Sequence, residues 1–527
     1  MDGDAPQASR RPLRYSARSR APSVFAIARP AVIQPLEPLR FDNRLAALGE
    51  AYATRVAPTP LREPRLLHAN AALAAQLGLD PGALHSQAFV EIFAGNRPLP
   101  GGAPLATLYA GHQFGVWVPQ LGDGRAILLG QIRDAAGASW DLQLKGAGRT
   151  PYSRFADGRA VIRSSVREYL AGEAMHHLGI PSTRALSLIV GDDPVHRETI
   201  ERAAVICRVA PSHIRFGHFE VFYYRGQPER LAPLADHVID EHFPALRGAP
   251  DRYARWLGEV VERTARLMAQ WQSVGFCHGV MNTDNMSVLG LTLDYGPYGF
   301  LDAFDAHHIC NHSDEGGRYA YDRQPAIGYW NCSRLLQATL PLLDDDENRA
   351  VEIAEGLLER YGPVYGETVT ARWRAKLGLR EARDDDAALI NRFLSLLHQG
   401  RADFTLSFRR LAAVPAADGG DAAALRDWLP AVEAFDAWLP DWRARLRAED
   451  GTDDAARAAR MNAVNPKYVL RNHLAQRAIE AAERGSGAEI ERLLTILRRP
   501  YDEQPEHEAY AAEPPADARH LTVSCSS

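Results

Sequence analysis

The chain has 527 residues, 46% of them apolar and 24% charged, and carries a net charge of −6. That is the make-up of a soluble globular protein with enough length for two or three domains' worth of core. It excludes a nucleic-acid footprint and a membrane partner as starting assumptions, because no long basic run lies in the body and no apolar segment approaches the ~18 residues of a membrane span.

Residues 1–30 are rich in Arg, Ser, Ala and Pro without the apolar core of a secretory signal, and Asp2 and Asp4 argue against a transit peptide. A disordered tail over 1–40 is expected, in a cytoplasmic protein, or a mitochondrial one if the chain is eukaryotic. From Phe41 to Ala75 the spacing of Leu45, Leu48 and Tyr52 predicts helix, with Asp42 and Asn43 as caps. Between Leu105 and Ile132 the chain turns aromatic and glycine-punctuated, and Gly122-Asp123-Gly124-Arg125 followed by Ala126-Ile127-Leu128-Leu129 predicts strand, turn, strand. Asp141 to Lys145 alternates polar and apolar, a strand whose one face carries Asp141, Gln143 and Lys145. Ser165-x-x-Glu168 reads as a capping box for a helix from about Val166 to Leu178, stopped by Gly179-Ile180-Pro181.

Strands follow near Leu186–Val190 and Ala204–Val209, and then an amphipathic helix between Asp251 and Val274, which delivers the chain into a loop at His278. After Asp294 there is little periodicity as far as Gln324. From Ile327 to about Glu483 the pattern is mainly helical. Residues 502–518 are acidic and contain proline, so 501–527 is expected to be a flexible acidic tail ending in Cys525. The only internal repeat is Asp-Gly-Arg-Ala, at 123–126 and 157–160.

The loop Cys277-His278-Gly279-Val280-Met281-Asn282-Thr283-Asp284-Asn285, with Asp294-Tyr295-Gly296 after it, has the order of a kinase catalytic loop and its metal-binding triplet. Val280 stands where the proton-accepting aspartate belongs. Either the chain is a non-catalytic relative or the base has moved, and Asp284 is the nearest carboxylate; an Asx turn with Asn282 and Thr283 is its alternative role. Asn285 and Asp294 supply two oxygens, the number that magnesium usually takes from protein.

Gly122 and Gly124 allow close approach to a phosphate and Arg125 adds charge; taken alone such a glycine pair is more often a plain hairpin turn, and Lys145 about twenty residues on, at a strand end, favours the phosphate loop. Lys145 is one of only three lysines, with Lys376 and Lys467, among sixty basic residues; it needs an acidic partner, Glu168 or, failing that, Glu173. Arg208 and Arg215 are further candidates for phosphate contacts, with structural or surface ion pairing as the commoner role, and Arg149, Arg154, Arg159 and Arg163 add charge nearby. The five cysteines (Cys207, Cys277, Cys310, Cys332, Cys525) form no Cys-x-x-Cys pair, which argues against a disulfide scaffold or zinc ribbon. His307, His308, Cys310 and His312 with Asp305 lack a second half for zinc and read better as a solvated loop.

Together these residues resemble the selenoprotein O family (SelO, also called YdiU), kinase-fold proteins once regarded as pseudokinases. The likeness runs from Phe41-Asp42-Asn43-Arg44 to Cys525 and includes Tyr109-Ala110-Gly111-His112-Gln113-Phe114-Gly115, Leu144-Lys145-Gly146, the His278–Met286 loop, Asp294-Tyr295-Gly296-Pro297 and Asn465-Pro466-Lys467-Tyr468. It implies an α+β, bilobal protein-kinase-like fold. The β-rich N-lobe and its extension would span 41–225, and the helical C-lobe with its C-terminal extension 226–500.

The implied activity is transfer of AMP from ATP, or of UMP from UTP, to Ser, Thr or Tyr hydroxyls of target proteins, with Mg²⁺ or Mn²⁺. The resemblance also implies that Gly122, Gly124, Arg125, Lys145, Asp157, Gly158, Arg208, Arg215 and Asp294 contact the nucleotide. Asp284 would accept the proton, Asn285 and Asp294 bind the metal, and Glu168 pair with Lys145. Many members carry selenocysteine near the C-terminus; the comparable place here is Cys525. A regulatory disulfide between Cys310 and Cys525 is a related expectation. Kinase-type phosphotransfer and a silent ATP-binding scaffold are the competing readings, the first weakened by Val280 and the second by the retained Lys145, Asn285 and Asp294.

Overall fold

The computed structural model describes residues 41–449, 453–518 and 521, so the expectations for residues 1–40 and for Cys525 lie outside the described residues. Eight strands form one antiparallel sheet: β1 (Ala53–Arg55), β2 (Arg65–Ala69), β3 (Leu105–Thr107), β6 (Ala126–Arg133), β7 (Ser139–Lys145), β8 (Ala160–Val161), β9 (Arg184–His196) and β10 (Ile200–Ala210). Their order is β1-β3-β6-β7-β10-β9-β2, with β8 beside β10. A separate short hairpin, β4 (Gly111–Gln113) and β5 (Val116–Val118), stands off this sheet.

The period of two along the strands sorts their side chains. Leu142 and Leu144 of β7, with Val205, Cys207 and Val209 of β10, pack against the small helices Ala71–Gln76 and Gln87–Phe93. The opposite face carries Asp141, Gln143, Lys145 and Arg208, all buried. Arg208 lies opposite Gln143 in the register and donates to its side chain at 3.3 Å.

That polar face is covered by the helix Ile162–His177. It starts four residues before the expected Val166, behind Val161, and Ser165 makes no capping bond. The capping-box reading therefore fails: Glu168 lies a turn and a half inside the helix, where its carboxylate meets Lys145 and Arg208. Glu173 is taken by Arg184, through two contacts of 2.7 Å, and is not the partner of Lys145.

The helix Arg252–Val274 follows the expected pattern, burying Leu257, Val260, Val261, Leu267, Met268, Trp271 and Val274. Gly275 ends it in the left-handed conformation (φ 69°) and turns the chain into β11 (Phe276–Cys277), which pairs with β12 (Gly299–Phe300). Beyond Gln324 the chain is helical, as its periodicity predicts, and a second core forms there around Trp373, Phe393, Phe408, Trp438 and Trp442.

Two regions depart from expectation. Phe41–Ala75 holds one helical turn (Arg44–Ala47), β1, β2 and the helix Ala71–Gln76 rather than a continuous helix, because Pro58, Pro60 and Pro64 break any longer pattern. Residues 501–511 are packed, not loose. Lys467 reaches Glu503 and Glu508, each at 2.6 Å, the Tyr501 hydroxyl donates to Leu178 O at 3.0 Å, and Gln504 and Tyr510 are buried. Two helices before this segment, Asn472–Glu483 and Ala488–Leu497, return to pack on the Ile162–His177 helix. Its residues are buried from Ser164 to Met175.

Candidate functional site

A cavity of about 520 Å³ opens where the sheet, the hairpin β4–β5 and the His278 loop meet. Gly122, Gly124, Arg125, Lys145, Arg208, Arg215, Asp284, Asn285 and Asp294, all candidates from the sequence, line it, and so does Val280. Asp157 and Gly158 do not: they follow the lining residue Ala156, and the Asp157 carboxylate is engaged by Arg197 at 2.8 Å and by the Arg159 amide. Of the four nearby arginines only Arg154 reaches the cavity wall. Arg149 donates to Ala156 O, Arg159 to Thr59 O and Pro60 O, and Arg163 pairs with Glu201.

The glycines have a packing reason. A Cβ on Gly122 would stand 2.6 Å from the Tyr152 ring, and one on Gly124 2.9 Å from Tyr152 O. Thr150 Oγ1 donates to Asp123 O at 2.6 Å, and Ser153 Oγ to Gly124 O, so the segment 150–153 braces this turn from behind. Gly122 (φ 109°) has a backbone that other residues rarely adopt.

Three cations, Lys145, Arg208 and Arg215, form the cationic wall together with the carboxylates of Glu168 and Asp294. Lys145 Nζ donates to Glu168 Oε2 at 2.5 Å, and Arg208 donates to both oxygens of the same carboxylate. Arg208 also reaches Asp294 Oδ1, while Arg215 reaches Asp294 Oδ2 and donates to Asp284 O at 2.8 Å. Burial opposes ionisation of Asp294, but the two guanidinium groups and the Lys145 ammonium outweigh it and hold its carboxyl well below the usual carboxylate range. Glu168 behaves alike: burial is outweighed by Arg208 and Lys145. Burial lowers Lys145 to about 8 despite Glu168, leaving its ammonium form predominant near neutrality.

The loop is set by backbone contacts. His278, stacked on Trp271, donates from Nε2 to Leu293 O at 2.9 Å and accepts the Val280 amide at Nδ1, which fixes a neutral ring with its proton on Nε2. Thr283–Asn285 forms one 3-10 turn. Asp284 is buried on the cavity wall; its Oδ2 accepts from Gln113 Nε2 at 3.2 Å, and its Oδ1 has no partner. Burial pushes its carboxyl up to about 7, against the pull of Arg215 and Gln113. Asn285 Nδ2 donates to Val280 O at 2.9 Å, and its Oδ1 lies 3.5 Å from the Arg215 nitrogen that also contacts Asp294. The amide oxygen and the carboxylate thus converge on one cation, and this hard-oxygen pair fits a magnesium or manganese ion that takes its other ligands from phosphate and water.

Sequence reasoning assigned no role to the hairpin. Besides Gln113 it contributes the His112 amide, which donates to Thr283 Oγ1 at 2.7 Å, and the Phe114 amide, which donates to Asn282 Oδ1 and the Tyr319 hydroxyl. Below them the buried Glu220 ties His112 (2.7 Å) to Thr283. The available signal was the glycine pair Gly111 and Gly115 bracketing three bulky residues. No group of three or more His, Cys, Asp or Glu suited to a metal exists among the described residues, in the cavity or outside it, and His307 and Asp305 pair with Asp322 and Arg401. Cys310 is buried, with its thiol pushed up by burial.

Residues 35–498 match the family model described as "Protein adenylyltransferase SelO". The chain is 59% identical over 506 residues to "Protein nucleotidyltransferase YdiU" of Methylococcus capsulatus, covering 96% of this chain and 99% of that one. Proteins of the same description in Myxococcus xanthus and Burkholderia multivorans are each 56% identical, covering 93% and 91% of this chain and 99% and 94% of their own lengths.

Proposed function

This chain belongs to the family of protein adenylyltransferase SelO, an enzyme family that transfers AMP to proteins, and from that premise we propose that Asp284 is the base that activates the acceptor hydroxyl. One observation carries this reading: of the carboxylates on the cavity wall, Asp294 is held by two arginines and Asp123 by the Thr107 amide and hydroxyl, whereas Asp284, four residues beyond Val280, keeps a buried oxygen, Oδ1, without a partner.

Asp284 takes the proton of a Ser, Thr or Tyr hydroxyl as its oxygen forms a bond to the α-phosphorus of ATP. The bond from that phosphorus to the bridging oxygen breaks, and pyrophosphate leaves with the electron pair. Lys145, Arg125 and Arg208 meet the negative charge of the triphosphate. Arg215 holds the turn by its bond to Asp284 O. Asn285 and Asp294 would hold Mg²⁺ or Mn²⁺, which supplies charge neutralisation on the phosphates when bound. The sheet with its helix over Glu168, joined to the helical region after Gly217, supports a two-lobed, kinase-like reading of the fold, with the cavity at the junction.

Incubation with ATP labelled at the α- or γ-phosphate tests the assignment. The α-label is expected on protein, in a chelator-sensitive reaction that is lost in Asp294→Ala. Label arriving from the γ-phosphate would replace nucleotidyl transfer by phosphorylation. A parallel run with α-labelled UTP measures the choice of nucleotide.

A further inference from the structure

The hairpin β4–β5 continues outward from the cavity into an aromatic surface. Phe114 (39% exposed) and Val116 (68% exposed) stand at its tip, and Trp117 packs on the exposed Tyr224 with ring centroids 4.1 Å apart. Behind them Trp330, on the helix Gln324–Ala338, meets His112 edge-on at 5.4 Å. Two guanidinium groups lie over the Trp330 ring, Arg318 at 4.7 Å and Arg334 at 5.3 Å from its centre. A Cβ on Gly115 would stand 3.1 Å from the guanidinium carbon of Arg318, so that cation lies against the hairpin tip.

Neither arginine has a carboxylate at ion-pair distance among the described residues. The side-chain hydrogen bonds of Arg334 to Ser333 and Gln337 are to neutral groups. Each guanidinium thus has its charge uncompensated at short range, unlike Arg65, which is paired with Asp192, and Arg252, which is paired with Asp236. A guanidinium laid on an aromatic face is pre-oriented for a carboxylate, which on Arg334 would replace the bonds to the neutral Ser333 and Gln337.

We propose that this surface docks the acceptor protein, taking an extended segment with an aspartate or glutamate on Arg318 and Arg334 and an apolar side chain against Phe114 and Val116. The inference rests on the nucleotidyl-transfer reading above. Its argument is continuity: Gln113 and Phe114 line the cavity, and Gln113 holds the Asp284 carboxylate, so a hydroxyl delivered to Asp284 brings its neighbours in sequence across the hairpin tip. At roughly 3.3 Å per extended residue, the positions two to four places from the hydroxyl are the ones that meet this surface. The unpaired cations supply the charge complementarity that selects among acceptors.

The test is transfer of α-label from ATP to a synthetic peptide library with a central Ser, Thr or Tyr and randomised flanks, read as residue preference at each position. The full-length chain is expected to enrich Asp or Glu at one or two positions. Arg318→Glu and Arg334→Glu, measured separately, should each lower that preference by at least about tenfold, the worth of one charge-assisted pair, while nucleotide binding is kept. Val116→Asp should reduce labelling of peptides with an apolar flank.

Labelled peptides without acidic preference, or with a preference untouched by both charge reversals, overturn the proposal. Label on the enzyme itself but on no peptide also overturns it. Absence of α-label anywhere sinks the nucleotidyl-transfer reading instead. Binding of a single-stranded RNA oligonucleotide that competes with peptide labelling and is lost in Arg318→Glu would reassign the surface to nucleic acid.

Discussion

Gly111 sits so close to Asp284 that a Cβ on it would stand 2.7 Å from the carboxylate Oδ1 and 3.0 Å from Thr283 Oγ1. The position of the candidate base is therefore set from outside its own loop, by a strand some 170 residues earlier in the chain. Gly111→Ala is expected to displace the carboxylate by a fraction of an ångström to an ångström. A misplacement of that size costs on the order of 100-fold in rate. Nucleotide affinity should hold, since no cationic side chain of the cavity touches Gly111. Transfer assays alongside nucleotide titration check the split, and equal losses in both would point to misfolding.

Removing the base itself has a larger consequence. Asp284→Asn keeps the shape but cannot take a proton, and a loss of at least about 100-fold in the transfer step is expected. Undiminished labelling would remove Asp284 from the mechanism.

The pH dependence has a definite sign. Burial raises the Asp284 carboxyl to about 7, so the form able to accept a proton is depleted below that pH and accumulates above it. kcat/KM for the acceptor is expected to climb with pH through about 7 and then level, because this ratio reports the free enzyme. A profile that stays flat between about pH 5 and 9 would contradict a base in this environment.

Glu168 is a stability prediction. Its carboxylate is shared by Lys145 and Arg208, and removing it leaves two buried cations facing each other. Glu168→Ala should cost about 3–5 kcal/mol in denaturant unfolding. The carboxyl is held below its ordinary value of 4.5, so its contribution is present above that pH and is lost as pH falls through the depressed native value. The wild-type advantage over Glu168→Ala should therefore shrink on acidification below about pH 4.5.

Truncation after Arg499 tests the packed C-terminal segment. It removes the Tyr501 bond to Leu178 O, both carboxylates on Lys467 and the buried Tyr510. A destabilisation of roughly 3 kcal/mol is expected from the lost aromatic burial alone, read as a lower thermal midpoint. An unchanged midpoint would mean that the segment is a passenger.

The parts that were legible in the sequence are those with a strong period or a fixed order of chemistry. Eight residues at helical spacing, all but Tyr253 of them buried, gave the Arg252–Val274 helix to within a residue, and alternation over Asp141–Lys145 put Lys145 on the correct strand face. The loop motif brought Asp284, Asn285 and Asp294 into one cavity. What stayed hidden depended on partners far along the chain. Ser165-x-x-Glu168 has the pattern of a cap, and only the approach of β7 and β10 turns Glu168 into a counter-ion. Gln113 is a neutral side chain whose motif carries no chemistry that the sequence reveals, and its importance comes from a neighbour 171 positions away. The acidic segment near Glu503 looks loose by composition, yet Lys467 and Arg409 give its charges a place to go.

The helix bearing Glu168 has a consequence for control. It is enclosed by the sheet on one side and by the helices Asn472–Glu483 and Ala488–Leu497 on the other, and Arg167 fastens it to Tyr298 O and Asn472. Swinging it outward to break the Lys145–Glu168 pair would strip buried residues along most of its length, an opening as costly as unfolding much of the domain. The cationic wall is in effect always assembled, so on–off regulation falls to access to the cavity.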